Sequence, residues 1–143
     1  MEKYRDIGLK LTPQRLAILH YLEGNKNHPS AETIYRAVHK KFPTMSLATV
    51  YTTLSALKEK GSILELTLDP GKKRYDPETS LHNHLICVSC KRIVDIHGEY
   101  RLELPENVKQ EFSIISSHVE FYGLCPECNK IKISSAKEAS PCA

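Results

Sequence analysis

Two cysteine pairs with the same spacing carry the strongest chemical signal in this sequence. Cys87 and Cys90 form one CxxC element, and Cys125 and Cys128 form another. Four thiolates brought together give the tetrahedral sulfur set that structural Zn²⁺ prefers. A redox dithiol, or buried thiols that act as small apolar groups, are the alternatives, but the repeated spacing favours zinc. Such a site has no open position for catalysis and stabilises the fold, whereas Cys142 is predicted to be a free surface thiol.

A second group of possible metal ligands is less specific. His82 and His84 stand two positions apart, so in an extended segment both imidazoles point to the same face. Three further donors lie elsewhere: His28 in a predicted loop, Asp76 at the end of a predicted strand, and Asp95 within another. Each of them alone is equally well explained as a capping, turn or surface residue. The residue types therefore leave metal binding at these positions open.

Composition and charge set broad limits. Hydrophobic residues make up 41% and charged residues 26% of the 143 residues, which is typical of globular proteins. Residues 1–80 hold 13 Lys and Arg against 9 Asp and Glu, whereas residues 81–143 hold 7 against 8. The mildly basic first half suits a polyanion, although an ordinary solvated surface explains it too. Because neither a membrane-spanning run nor an apolar signal core is visible, we expect a cytoplasmic protein without membrane contact.

Three helices and a hairpin are predicted in the first half. Thr12, Ser30 and Ser46 each precede an apolar helical pattern and are predicted N-caps. The alternation in SILELTLD and the later segment KRYDP predict two strands joined by a turn. This order of elements is typical of a winged helix-turn-helix module.

The second half is predicted to mix strands with one short helix. The predicted strands are HLICVSC, KRIVDIH, FSIISSHVEFYGLC and KIKIS, and the short helix lies in EYRLELPENVKQEF with an interruption at Pro105. Residues 77–83 are predicted to be a hinge, and residues 136–143 a flexible polar tail.

Taken together, these motifs give the sequence a family resemblance. It resembles the ferric uptake regulator (Fur) family of metal-dependent bacterial repressors, and within it the peroxide-sensing PerR branch. The segments LTPQRLAIL, HPSAETIY, SLATVYTTLSALKEKG, RYD, HNHLICVSCKRIVDIH and FYGLCPEC follow in the family's order. The resemblance implies an α+β fold, with a winged helix-turn-helix DNA-binding domain at 1–76 and an α/β dimerisation domain at 84–135 that carries the structural zinc.

The resemblance also implies a regulatory Fe²⁺ or Mn²⁺ site between the domains. Its ligands would be His28, Asp76, His82, His84 and Asp95, and such a mixed nitrogen and oxygen set suits these metals better than thiophilic ones. Iron sensors of the family usually carry Glu at the position of Asp95, whereas peroxide sensors carry Asp. The resemblance therefore favours peroxide sensing by Fe(II)-catalysed oxidation of two of these ligands, His28 and His82.

Another metal site that is common in Fur proteins is predicted to be absent. Of its expected ligands only His118 matches, because Leu81, Asn83 and Leu102 stand where His, Asp and Glu would be expected. His118 and His97 are therefore interpreted as ordinary strand or loop histidines.

The third predicted helix is the candidate DNA recognition helix. Thr49, Tyr51, Thr52 and Ser55 lie outside its apolar face and could contact phosphates, base edges or thymine methyls. Thr52 and Thr53 replace the Arg or Asn that family members often have after the Tyr, so no operator sequence is predicted. Candidate phosphate contacts, each of which could equally be only solvated, are Arg15, Lys58, Lys60, Lys72 and Lys73.

Three functions follow from these patterns. The leading hypothesis is a homodimeric, metal-dependent transcriptional repressor that binds double-stranded operator DNA and senses peroxide. An iron- or zinc-responsive repressor of the same family is the alternative. The letters HNH also suggest a metal-dependent nuclease, but no HExxH motif is present and CPEC does not fit the zinc-deaminase pattern. We therefore expect no enzyme activity.

Overall fold

The computed structural model describes residues 2–138, with side chains described up to residue 133. The chain divides into two compact units, Met1–Ser80 and Leu81–Ala143, and their boundary falls within residues 77–83. In the described part, no helix is both long and apolar enough to cross a bilayer. Cys142 lies outside the described residues.

The first unit contains three α-helices and a two-stranded antiparallel sheet, in the predicted order. After a short 3₁₀ turn at Glu2–Tyr4 come α1 (Pro13–Leu22), α2 (Ala31–His39), α3 (Leu47–Glu59), β1 (Leu64–Leu66) and β2 (Arg74–Asp76). The side chains of Thr12, Ser30 and Ser46 accept the backbone N–H of the residue three positions later. The three predicted N-caps are thereby confirmed.

One apolar core holds the three helices of this unit together. Its fully buried members include Ile18, Leu19, Leu22, Ile34, Val50, Leu54 and Leu57. Tyr4 and Ile7 from the N-terminal segment are also buried in this core. The sequence patterns did not predict this contribution, because the segment has no helical or strand periodicity.

The second unit is built on a three-stranded mixed sheet. Its elements are β3 (Asn83–Cys87), β4 (Ile93–Ile96), α4 (Glu106–Glu111), β5 (Glu120–Gly123) and α5 (Pro126–Glu138). The strand order is β4-β3-β5, with β3 antiparallel to β4 and parallel to β5.

Two predicted strands of this unit differ from the structure. The strand in FSIISSHVEFYGLC is limited to its four residues Glu120–Gly123, because pairing with β3 covers only this part. KIKIS lies in α5 and not in a strand, since Pro126 at the first position and Glu127 in the first turn favour a helix start. The same helix includes residues 136–138, the beginning of the predicted tail.

The core of the first unit generates a stability prediction. Leu54 on α3 is 1% exposed, so Leu54→Ala leaves a cavity among three helices. We expect it to lower the free energy of unfolding by about 2–5 kcal/mol, measured by urea denaturation followed by circular dichroism. The control is Glu59→Ala on the exposed face of the same helix, which should change stability by less than about 0.5 kcal/mol. Equal effects of the two substitutions would contradict the packing described here.

Candidate metal centres and recognition helix

The parallel pairing of β3 with β5 brings the two CxxC elements together. Cys87 at the end of β3 stands in register with Gly123 at the end of β5. Parallel strands end at the same edge of a sheet, so the chain segments that follow both strands start side by side. Lys91 adopts a left-handed conformation (φ 65°), which turns the chain back after the first pair, and its N–H donates to the Cys87 carbonyl at 2.9 Å.

The four sulfur atoms of these elements form one cluster. Cys87, Cys90, Cys125 and Cys128 have all their Sγ atoms within 4.8 Å of one another, and the Sγ atoms of Cys90 and Cys125 are 3.8 Å apart. Ligands about 2.3 Å from a tetrahedral zinc ion are themselves about 3.8 Å apart. The sulfur positions therefore fit a tetrahedral zinc site without rearrangement of the backbone.

The protonation chemistry of these thiols also fits a cation. Backbone N–H groups of Cys125 and of Cys90 donate to the Cys87 sulfur and lower the pKa of this thiol to about 6. For Cys125 the N–H of Cys128 acts in the same direction, but burial and the adjacent Cys128 side chain raise its pKa to about 12. The raised pKa keeps the Cys125 thiol protonated near neutral pH when no cation is bound. A divalent cation removes this conflict, because it binds the thiolates and displaces their protons.

The first unit brings one imidazole and one carboxylate of the second group of possible metal ligands together. The Nε2 atom of His28 lies 3.5 Å from the Oδ2 atom of Asp76, and both side chains are almost fully buried. His28 lies in the loop before α2, whereas Asp76 ends β2. The other oxygen of Asp76 accepts the N–H of Glu78 at 2.8 Å. A buried imidazole beside a fixed carboxylate gives two converging donors of the type that binds Fe²⁺ or Mn²⁺.

Within the second unit, two imidazoles and one carboxylate come together. His84 on β3 stands directly opposite Asp95 on β4, and His82 precedes the strand by one residue. The Nε2 atoms of His82 and His84 lie 3.1 and 3.5 Å from the same oxygen of Asp95. Both imidazoles therefore share one face, as the sequence spacing predicted, and they converge on the predicted carboxylate.

The remaining predicted histidines have other surroundings. His118 pairs with Glu120 at 3.3 Å, and among residues 2–133 it joins no group of three or more metal-binding side chains. The side-chain oxygen of Asn83 instead accepts the N–H of Val119. Leu81 and Leu102 are 80% and 70% exposed. The ring of His97 stacks on that of His82, with the ring centres 5.4 Å apart, a contact that the sequence pattern did not indicate.

Helix α3 presents part of the predicted recognition surface to solvent. Tyr51, Thr52 and Ser55 are exposed and Thr49 is half-buried. The hydroxyl of Thr52 donates to the Ala48 carbonyl at 2.9 Å, so its methyl group is the part that faces outward. Tyr51 has a partner that the sequence pattern did not indicate. The Glu32 carboxylate on α2 accepts the tyrosine hydroxyl at 2.9 Å and thereby raises the pKa of that tyrosine.

The side chains predicted to contact phosphate differ in whether they already bind another group of the protein. Lys58 and Lys73 both bind the carboxylate of Glu65, at 2.9 and 3.2 Å, which ties the end of α3 to the turn between β1 and β2. Lys60 and Lys72 are exposed. The guanidinium of Arg15, by contrast, donates to the Lys10 carbonyl at 2.7 Å and has less freedom to reach a phosphate.

Comparisons with known proteins agree with this arrangement. Residues 6–122 match the Ferric uptake regulator family. The peroxide operon regulator of Bacillus subtilis strain 168 is 42% identical over 132 residues, which cover 91% of each chain. The peroxide-responsive repressor PerR of a Staphylococcus epidermidis strain is 40% identical over 129 residues, 88% of this chain and 85% of that relative.

Solved structures show the same fold. The ferric uptake regulator from Francisella tularensis, solved with iron, aligns with a TM-score of 0.71 and 26% sequence identity over 87% of this chain and 98% of that chain. The family match spans most of the sequence, and relatives well above 30% identity cover nearly all of it. The chain therefore belongs to the ferric uptake regulator family.

Proposed function

We propose that the protein is a metal-dependent, peroxide-responsive transcriptional repressor that binds double-stranded DNA as a homodimer in the cytoplasm. The observation that carries this proposal is the presence of two chemically distinct kinds of donor. Four thiolates cluster in the second unit, and imidazoles lie beside a carboxylate within each unit. Two relatives of about 40% identity are named as peroxide-responsive regulators. A nuclease function is not retained, because the family is one of transcription regulators.

The four-cysteine cluster is the structural zinc site. Cys87 closes β3 and Cys125 precedes α5, so zinc bound there links the sheet to the last helix. Arg92 and Glu127 reinforce the same connection with an ion pair at 3.1 Å. This ion pair is exposed and contributes little by itself, which leaves the metal as the main cross-link.

The regulatory site is proposed to use His28 and Asp76 from the first unit together with His82, His84 and Asp95 from the second. Support comes from the convergence of donors within each unit and from the family resemblance. Donors from both units on one cation would restrict the first unit relative to the second. DNA affinity rises only if the restricted arrangement is the one that fits the operator, since equal metal affinity for all arrangements would shift nothing.

A second copy of the chain is the proposed partner of the second unit. Large apolar side chains are exposed there, and they include Leu102, Phe112, Ile114, Ile115 and Tyr122, with Ile115 97% exposed. Large apolar side chains left exposed in one unit support an interaction site there. A homodimer would also carry two copies of α3, the number that an operator with two half-sites requires.

Peroxide sensing is proposed to depend on the histidines of the regulatory site. Fe²⁺ held there by the proposed histidines and carboxylates would supply one-electron reduction of hydrogen peroxide, and the side chains nearest to it would be oxidised. Ligating nitrogens lie about 2 Å from such a metal, so His28 and His82 are the side chains we expect to be oxidised. A plain iron-responsive repressor is the second candidate, because the similar Francisella structure contains iron.

The zinc assignment predicts a loss of folding when one thiolate is removed. Zinc binding of this type contributes folding free energy on the order of 10 kcal/mol, so Cys87→Ser should lose zinc and the folded second unit. Zinc content by mass spectrometry under native conditions, together with size-exclusion chromatography, measures both effects. Cys142→Ser, the same change outside the CxxC elements, should keep one zinc per chain. A folded Cys87→Ser protein with full zinc content would refute the four-cysteine site.

The proposed regulatory site predicts that loss of one of its ligands weakens DNA binding but leaves the zinc content unchanged. His28→Ala and Asp76→Ala should each weaken Mn²⁺-dependent DNA binding about 10-fold or more, while one zinc per chain is retained. Binding is measured by gel shift with the promoter DNA of the protein's own gene, with and without Mn²⁺, and the DNA should stay uncut. His20→Ala is the control, because His20 is exposed on α1 of the same unit. Unchanged Mn²⁺ dependence in both variants would show that the ligands are wrongly assigned.

The peroxide proposal predicts oxidation at identified residues. Fe²⁺-loaded protein treated with low peroxide should gain one oxygen atom on peptides that contain His28 or His82 and should lose DNA binding. Protein loaded with Mn²⁺ should keep both its mass and its DNA binding, because Mn²⁺ does not readily carry out that reduction. Peptide mass spectrometry distinguishes the two residues. If iron-loaded protein still binds DNA after peroxide, or if only cysteines are oxidised, the peroxide-sensing proposal is wrong. The plain iron-responsive repressor then replaces it.

A further inference from the structure

Arg74 on β2 connects the turn of the hairpin with the loop that carries His28. Its Nε atom donates to the backbone carbonyl of His28, and its Nη2 atom donates to the carbonyl of Asn27 at 3.3 Å. Its Nη1 atom lies 3.4 Å from a carboxylate oxygen of Asp69, and the arginine side chain is only 14% exposed. One planar guanidinium thus contacts two successive backbone carbonyls and a carboxylate.

The loop that Arg74 contacts has an unusual backbone. His28 has a φ of 49°, in the left-handed region that residues with a side chain rarely adopt without support from their surroundings. The next residue of β2 also binds this loop: the N–H of Tyr75 donates to the Pro29 carbonyl at 3.0 Å. Two neighbouring residues of β2 therefore hold the backbone on both sides of the His28 side chain.

The Asp69 carboxylate, which Arg74 contacts, also fixes the hairpin turn. Asp69 is 5% exposed, and its second carboxylate oxygen accepts the N–H of Gly71 at 2.8 Å. The guanidinium consequently bridges the turn that follows β1 and the loop that precedes α2. Movement of either segment must change the hydrogen bonds of the same side chain.

We propose that Arg74 is a positioning residue for the regulatory metal site, which fixes His28 in its binding conformation and couples it to the hairpin turn. This proposal rests on the proposed function, because it assumes that His28 binds the regulatory cation. The positioning role requires an arginine, because its planar guanidinium presents several donors at fixed angles and a lysine ammonium does not. Arg74→Lys keeps the charge but loses this geometry.

The test measures Mn²⁺ affinity of the full-length, zinc-containing protein by isothermal titration calorimetry. Arg74→Ala and Arg74→Lys should each weaken Mn²⁺ binding by about 10-fold or more, as loss of residues that orient metal ligands does. Hydrogen exchange before Mn²⁺ is added should be faster at the amides of His28 and Ser30 in both variants. The matched control is Arg36→Ala, because Arg36 is exposed and also donates to a backbone carbonyl, that of Glu32, at 3.4 Å.

The possible results distinguish failure of the positioning role from failure of the proposed function. If the wild-type protein binds no Mn²⁺, or if His28→Ala binds it as well as the wild type, the proposed function fails. If His28→Ala loses Mn²⁺ but both Arg74 variants bind it with wild-type affinity, the positioning role is overturned. A lower melting temperature with unchanged Mn²⁺ affinity would also overturn it, since that is a purely structural effect. Should Arg74→Ala not fold, Asp69→Asn removes the charge that anchors the guanidinium and should weaken Mn²⁺ binding too.

Discussion

Strand β3 pairs with β4 on one side and with β5 on the other, and the register of these pairings positions both metal-binding groups of the second unit. Pairing with β4 sets His84 opposite Asp95, whereas pairing with β5 sets Cys87 beside Gly123. His84 and Cys87 are three residues apart, so they point to opposite faces and lie about 10 Å apart along the strand. A slip of one residue would exchange these faces and would disrupt both groups together.

Strand β2 has the corresponding role in the first unit, although it is only three residues long. Its residues Arg74, Tyr75 and Asp76 contribute, in order, a guanidinium that contacts the His28 loop, a backbone N–H that binds Pro29, and a carboxylate beside the His28 imidazole. The buried Tyr75 ring also belongs to the helical core. The hairpin, the proposed metal ligands His28 and Asp76, and the core beneath the candidate recognition helix are therefore connected through three consecutive residues.

The sequence predicted those features that depend on local chemistry. N-capping hydroxyls fixed the helix starts, and the repeated CxxC spacing indicated zinc. What it could not predict depends on contacts between distant residues. The extent of β5 is set by its partner β3, the Tyr51 hydroxyl depends on Glu32, and Arg74 contacts a loop 46 residues earlier in the chain. KIKIS fits an alternating pattern as well as a helix, and the prediction of a strand overlooked the helix start at Pro126. The regulatory ligands themselves came from family resemblance and not from spacing.

The division of donor types explains how one small protein can hold two metals for different purposes. Thiolates select zinc, and four of them leave no open coordination position, so zinc there stays redox-inert and serves the fold. Imidazoles and carboxylates suit Fe²⁺ or Mn²⁺, so the proposed regulatory residues would hold an ion that can react with peroxide when it is Fe²⁺. On the proposed assignment, the side chains next to that ion would be histidines and carboxylates and not the thiolates that hold the fold. Because His84 and Cys87 point to opposite faces of β3, oxidation of a regulatory histidine would abolish DNA binding while the zinc-stabilised unit keeps its structure.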